Sequence, residues 1–232
     1  MKAILLAAGR GQRMRPLSDG VPKPLLPVHG KPLIEWHIEA LARGGVREIV
    51  VNTAWLEEQI VDALGDGARF GVTIAYSREG RDHGGALETA GGIAKALPLL
   101  GDAFWIVSAD VWAPDFRFSR STAEHFVADG RLARLWLVPN PVFHPQGDFG
   151  LGADGLGLAD TAGPDGQRWT YANVALARAE MFAQLAPGAK EPLAPLLYAG
   201  MRARRIGAEI YRGRWENVGT PEQLAALNAA PP

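Results

Sequence analysis

The chain has 232 residues, enough to bury one large core, and with 47% hydrophobic and 21% charged residues it has the composition of a folded globular protein. Its net charge of −1 excludes bulk nucleic-acid binding, and the absence of cysteine excludes disulfides and thiolate metal sites. No run approaches the ~18 uninterrupted apolar residues of a membrane span, and the N-terminal apolar run is too short for a secretory h-region. A cytoplasmic chain with no nucleic-acid or membrane partner is therefore expected.

The first predicted element is Ala3–Ala8, a continuous apolar run that ends on Gly9 and Gly11. Such a run reads as a buried parallel strand leaving a sheet. Glycines at its exit let backbone N–H groups approach a ligand. The loop that follows carries Arg10, Arg13 and Arg15 and closes on Pro22-Lys23-Pro24. Local positive charge on a nearly neutral chain points to a polyanionic small molecule. The loop is neither a dinucleotide fingerprint, since Met14 stands where the third glycine belongs, nor a P-loop, since no G-K-[ST] follows.

Pro32–Arg43 has helical periodicity and stops at Gly44-Gly45. Strand Glu48–Asn52, helix Leu56–Leu64, strand Val72–Tyr76, helix Ala86–Leu97 and strand Phe104–Ser108 follow. This alternation predicts a doubly wound α/β sheet with helices on both faces and ligands beyond the carboxyl ends of its strands. The second half is less regular. Asp115–Ala128 reads as a helix and Leu132–Val138 as a strand, and residues 140–167 are rich in glycine, proline and aspartate. Strand Tyr171–Ala177, helices Glu180–Leu185 and Leu193–Arg202, short strands Ile206–Tyr211 and Trp215–Val218, and helix Pro221–Asn228 capped by Thr220 complete the chain. No linker separates two cores, so one domain is expected.

Three side chains stand out chemically. The flanking prolines stiffen the backbone at Lys23, which fixes where a compact ammonium points. Arg13 offers a planar fork for phosphate oxygens, against the alternative of a solvated arginine. Asp110 follows the apolar strand FWIVS, a position suited to holding Mg²⁺ but equally to a turn or helix cap. The five histidines lack ligand spacing, which argues against zinc.

The segment LAAGRGQRMRPLSDGVPKPLLPVHGKPLIEWHIEAL resembles the signature of the sugar-1-phosphate nucleotidyltransferases. Gly9, Gly11, Arg13, Pro16, Pro22, Lys23, Pro24, Pro27, Lys31 and Pro32 meet its spaced positions, and later blocks extend the likeness over nearly the whole chain. The resemblance implies a Rossmann-like mixed sheet of nucleotidyltransferase type, with residues 1–112 binding the nucleotide and 113–232 the sugar. It implies transfer of a nucleoside monophosphate from an NTP to a sugar 1-phosphate, with release of pyrophosphate and with Mg²⁺ as cofactor. Within the family, Asn140-Pro141, Gly147-Asp148-Phe149 and Tyr211–Trp215 point to a subgroup that joins UTP and N-acetylmuramate 1-phosphate. Guanylyl or thymidylyl transfer to a hexose 1-phosphate is the runner-up, and a non-catalytic nucleotide-sugar sensor is the alternative from another class.

Carried onto this chain, the pattern implies Arg13 and Lys23 as catalytic residues, on the leaving pyrophosphate and the α-phosphate. Ala7, Ala8, Gly9, Gly11, Arg13 and Gly91 would bind the nucleotide. Glu88, Asn140, Asp148 and Asn173 would bind the sugar, and Asp110 and Asn217 the metal. Gly91-Gly92 would admit a flat base or sugar ring close to the backbone. Two departures are visible. Asn217 replaces the aspartate of the family's second metal motif, and no lysine occupies the E-K-P position that meets the sugar phosphate, leaving Arg168, Lys190 or Arg212 to substitute. The family pattern gives no place to Arg10 or Arg15. A monomer or small homo-oligomer is expected.

Overall fold

The computed structural model describes residues 1–231. In chain order its strands are β1 (Lys2–Leu6), β2 (Pro27–Val28), β3 (Lys31–Pro32), β4 (Glu48–Thr53), β5 (Thr73–Arg78), β6 (Ala103–Ser108), β7 (Val111–Trp112), β8 (Ala133–Val138), β9 (Phe149–Leu151), β10 (Gly157–Leu158), β11 (Arg168–Arg178), β12 (Ile206–Ile210) and β13 (Glu216–Asn217). Its helices are α1 (Leu17–Gly20), α2 (Leu33–Arg43), α3 (Glu57–Leu64), α4 (Glu79–His83), α5 (Glu88–Ala96), α6 (Arg120–Asp129), α7 (Ala194–Arg202) and α8 (Pro221–Ala229).

One mixed sheet runs β10-β9-β11-β6-β1-β4-β5, and β8 pairs with β11 and carries β12. Strands β5, β4, β1 and β6 are parallel, as the alternating strands and helices of the first half require. The long strand β11 runs antiparallel to both β6 and β8, so strands of the two halves of the chain share one sheet. The expected doubly wound α/β mixed sheet is thus the fold observed.

Continuous apolar strands need cover on both faces, and this sheet has it. Ala3, Leu5, Ile49, Val51, Trp105 and Val107 pack against α2, α3 and α6. The alternate residues Ile4, Val50, Phe104 and Ile106 face α5 and α7. A third, smaller cluster of Met14, Leu26, Val28, Leu33, Trp112, Val218, Leu224 and Leu227 lies beneath the arginine loop. It joins that loop to α8, whose first turn is capped by Thr220 Oγ1 accepting from the Gln223 N–H at 3.3 Å.

Some predicted boundaries moved. The expected helix Asp115–Ala128 starts only at Arg120, because Phe116 and Phe118 are drawn into the core against Trp105 and leave that stretch irregular. Ser119 then caps α6 by accepting from the Thr122 N–H. The expected helix Glu180–Leu185 is one 3-10 turn, Ala179–Phe182, whose Met181 and Phe182 are buried. Helix α4 and the hairpin β2–β3 have no counterpart among the predicted elements.

His37 on α2 is buried and donates from Nε2 to the Val111 carbonyl at 2.7 Å, which ties α2 to the strand after Asp110. Burial pulls the imidazole pKa down from 6.5 to about 4, against the raising effects of the Val111 hydrogen bond and Asp110. As pH falls below 6.5 the unfolded chain takes up this proton first, so the stability that neutral His37 supports is lost toward pH 4. This one group is expected to cost about 2 kcal/mol between pH 7 and pH 5. Urea denaturation across that range should show the loss, and His37→Gln, which keeps a donor for Val111, should flatten it.

Candidate active site

The parallel strands end at a common level, where Leu6 sits beside Asn52 on β4 and Ser108 on β6. The chain leaving β1 is pinned there. The Ala7 N–H donates to Asn52 Oδ1 at 2.7 Å, and Asn52 Nδ2 donates to Glu79 Oε1 at 2.7 Å. Glu79 is fully buried, and its other oxygen accepts from the Leu87 N–H at 2.8 Å. Burial pushes the Glu79 carboxyl up, while these two donors oppose the shift. Glu79 therefore joins the exits of β4 and β5 to the start of α5.

Above this network lies a cavity of about 750 Å³ lined by Ala7, Ala8, Gly9, Gly11, Arg13 and Lys23 among others. Gly11 has φ 64°, and a Cβ there would stand 3.1 Å from Lys23 Cβ, so both backbone conformation and space call for glycine. The three arginines of the loop separate by environment. Arg15 is paired with Asp19 at 2.7 Å and does not line the cavity. Arg10 lines the cavity while stacked on the Trp55 ring, 4.2 Å from its centroid. Arg13 lines the cavity and has no ion-pair partner among the described residues, so its guanidinium is free for phosphate.

Lys23 is only 7% exposed, and its Nζ meets Asp110 Oδ2 at 3.0 Å. Ser108 Oγ donates to the other Asp110 oxygen at 2.7 Å. Burial resists ionisation of Asp110, yet the charge of Lys23, the two hydrogen bonds and the charge of Arg13 outweigh it and hold the carboxyl below the usual range. Strand β13 pairs antiparallel with β7 just beyond Asp110, and the Val218 N–H donates to the Asp110 carbonyl at 2.9 Å. This brings Asn217 next to Asp110 across 107 positions of sequence. Asp110 lines the first cavity and Asn217 the adjoining one, and an ionised carboxylate beside an amide is a donor set suited to a hard divalent cation that keeps several waters.

A second cavity, of about 410 Å³, adjoins the first and shares Leu6, Glu88, Thr89 and Ser108 with it. Glu88, Asp148 and Asn173, expected to face a sugar, all line it, as does Asn217. Glu88 and Asn173 have φ values of 60° and 58°. Left-handed backbone at non-glycine residues costs on the order of 1 kcal/mol and concentrates at functional sites. Asn173 sits where the β11–β8 register shifts between Tyr171 and Ala175, and such an irregularity re-aims a side chain.

The family model for nucleotidyl transferases matches residues 2–151. The chain belongs to the nucleotidyl transferase family. It is 48% identical, over 99% of its length and 97% of the relative's, to an N-acetylmuramate alpha-1-phosphate uridylyltransferase of Neisseria meningitidis. A protein of the same name from Caulobacter vibrioides is 32% identical over 98% of this chain and 95% of its own. Among solved structures, a Bacillus anthracis protein crystallised with sucrose superposes with a TM-score of 0.82 at 21% identity, covering 99% of this chain and 94% of that one. At that identity the likeness is one of fold.

Two residues assigned to this nucleotidyl transferase's ligands by the family pattern lie elsewhere. Gly91 is buried in α5 and does not line the nucleotide cavity, because its missing Cβ makes room for another segment: an added Cβ would stand 2.1 Å from the Ala189 carbonyl. Gly92 likewise leaves space for Glu79 rather than for a base. Asn140 lies outside the acceptor cavity. Its amide donates to the Pro145 and Arg168 carbonyls at 3.0 and 2.9 Å and its oxygen accepts from Thr170, so it staples a loop.

Of the candidate substitutes for the missing E-K-P lysine, only Lys190 lines the nucleotide cavity. Arg168 is consumed by the backbone carbonyls of Asp148, Ala159 and Thr161. Lys190 is held there because the Ala90 and Gly91 N–H groups donate to the Glu191 carbonyl at 2.9 and 3.1 Å. Trp215, whose indole N–H donates to Ala172 O at 2.9 Å, and Tyr198 wall the acceptor cavity and were not expected there. The Y-R-G-x-W motif carried the signal for Trp215, whereas Tyr198 reads in sequence as one more apolar helix position.

Gly91→Ala is expected to push the Ala189–Glu191 segment off α5. It should cost about 1–3 kcal/mol of stability in urea denaturation, as overpacking does, and raise the KM for the acceptor through displacement of Lys190.

Proposed function

We propose that this nucleotidyl transferase joins UTP to N-acetylmuramate 1-phosphate, forming the UDP-sugar and pyrophosphate, with Mg²⁺ as cofactor. The observation that carries the reading is the contact between two cavities: one lined by Arg13, Lys23 and Asp110, the other by the polar side chains of Asp148 and Asn173, with Ser108 and Glu88 on their shared rim. The identity of the relatives over the full chain supports the choice of nucleotide and acceptor.

The reaction brings two anions together, so positioning and charge neutralisation supply most of the rate. Lys23, stiffened by Pro22 and Pro24 and held against Asp110, stands ready to exchange that carboxylate for an oxygen of the α-phosphate. Arg13 grips the departing pyrophosphate bidentately. Lys190, on the lining of the same cavity, meets the acceptor phosphate. Asp110 and the Asn217 amide oxygen would hold Mg²⁺, which when bound neutralises phosphate oxygens. Among the described residues no three acidic or histidine side chains gather at one point, so most of the ion's ligands would be water and phosphate. No helix of the described residues is long and apolar enough to cross a membrane.

Pyrophosphate release, measured with each NTP against a panel of sugar 1-phosphates, should be fastest with UTP and N-acetylmuramate 1-phosphate. Release with no pair would overturn the reading. Lys23→Ala should lower kcat by more than about tenfold with UTP binding still detectable. Lys190→Ala should raise the acceptor KM by roughly three- to tenfold with kcat less affected, because an exposed cation on phosphate is worth less than a buried one.

A further inference from the structure

Building on the proposed acceptor, N-acetylmuramate 1-phosphate presents two separate anions. Its phosphate faces the cation-rich nucleotide cavity, while the carboxylate of its 3-O-lactyl group projects from the sugar ring into the second cavity. That cavity is a poor place for a carboxylate. Its lining includes Glu88 and Asp148 and neither lysine nor arginine, so His144 is the one side chain there able to carry positive charge.

The surroundings of His144 fit that task. Its Nε2 lies 3.1 Å from Asp148 Oδ1, and the other Asp148 oxygen accepts from the Tyr171 N–H at 2.8 Å. An ionised carboxylate can only accept, so the ring donates through Nε2, and Asp148 is itself anchored to the sheet. The Nδ1 atom has no hydrogen-bond partner among the described residues, and the side chain is 39% exposed. Nδ1 is therefore the ring atom left to meet a ligand, and on a ring that carries both protons it donates.

The loop carrying it is fixed rather than loose. Asn140 clamps Pro145 and Arg168, and the His144 N–H donates to the Pro141 carbonyl at 2.9 Å. The preceding Phe143 also lines the cavity although it is 51% exposed. A large apolar ring held open to solvent beside an unpartnered imidazole nitrogen matches the lactyl group, which has a methyl next to its carboxylate.

We infer that the Phe143–His144 edge of the acceptor cavity is the subsite for the acceptor's lactyl group, with His144 binding its carboxylate and Phe143 covering its methyl. Asn140 is a positioning residue for that edge.

The test compares N-acetylmuramate 1-phosphate with N-acetylglucosamine 1-phosphate, which lacks the lactyl group, by kcat/KM or by competitive Ki where turnover is slow. His144→Gln should lower kcat/KM for the muramate acceptor by roughly tenfold or more, the worth of a hydrogen bond to a charged group, and lower the glucosamine value several-fold less. His144→Lys, which restores the charge, should recover part of the loss, and Phe143→Ala should weaken the muramate acceptor selectively. Equal losses on both acceptors, or none, would overturn the subsite while leaving the proposed function standing. Failure of the wild-type enzyme to use the muramate acceptor would overturn the proposed function and the subsite together.

Discussion

The site depends on the common register of three parallel strands. Because Leu6, Asn52 and Ser108 end side by side, the chain leaving β1 meets side chains from β4 and β6 at once. The Ala7 N–H is held by Asn52, and the Leu6 carbonyl accepts from the Ala109 N–H at 3.0 Å. The arginine loop is thus anchored at its root before any ligand arrives. Buried Glu79 extends the anchoring to α5 and is worth its desolvation only because both of its oxygens are satisfied. Everything downstream, from the free Arg13 to the paired Lys23, inherits its position from this fixed point.

Charge is distributed with economy around that point. Lys23 and Asp110 neutralise one another, which lets both stay ionised in a largely buried place where either alone would be costly. The same pairing leaves each able to exchange its partner for a substrate group. Arg13 needs no partner because it faces open space, and Arg15 has been taken out of the chemistry by Asp19. Across the shared rim the balance reverses: the acceptor cavity is lined by carboxylates, with one histidine able to oppose them.

Much of the nucleotide half was legible in the sequence. A strand, two glycines and a lysine between prolines are local signals, and the side chains that line this cavity lie mostly within one loop. The acceptor half was harder to read. Its walls come from segments far apart, and their pattern is one of turns, whose glycines and aspartates look alike whether they hold a ligand or a loop. Asn140 shows this: an amide in a proline-rich stretch reads as a sugar ligand, yet its hydrogen bonds all go to the loop around it. Gly91 fails for the complementary reason. A glycine announces close approach, but not by what, and here the neighbour is the Ala189 carbonyl.

By itself the sequence determined the alternating strands and helices, the two-sided burial of the central strands and the residue types of the arginine loop. These follow from periodicity and backbone stereochemistry, which act over a few residues at a time. Only the tertiary structure decided that Arg15 is paired away from the cavity, that Lys23 reaches Asp110, that Lys190 lines the first cavity, and that His144 lines the second. Those placements join segments far apart in sequence, as Lys23 and Asp110 are at 87 positions, and are set by strand order and sheet register; no local pattern encodes the distance across a fold.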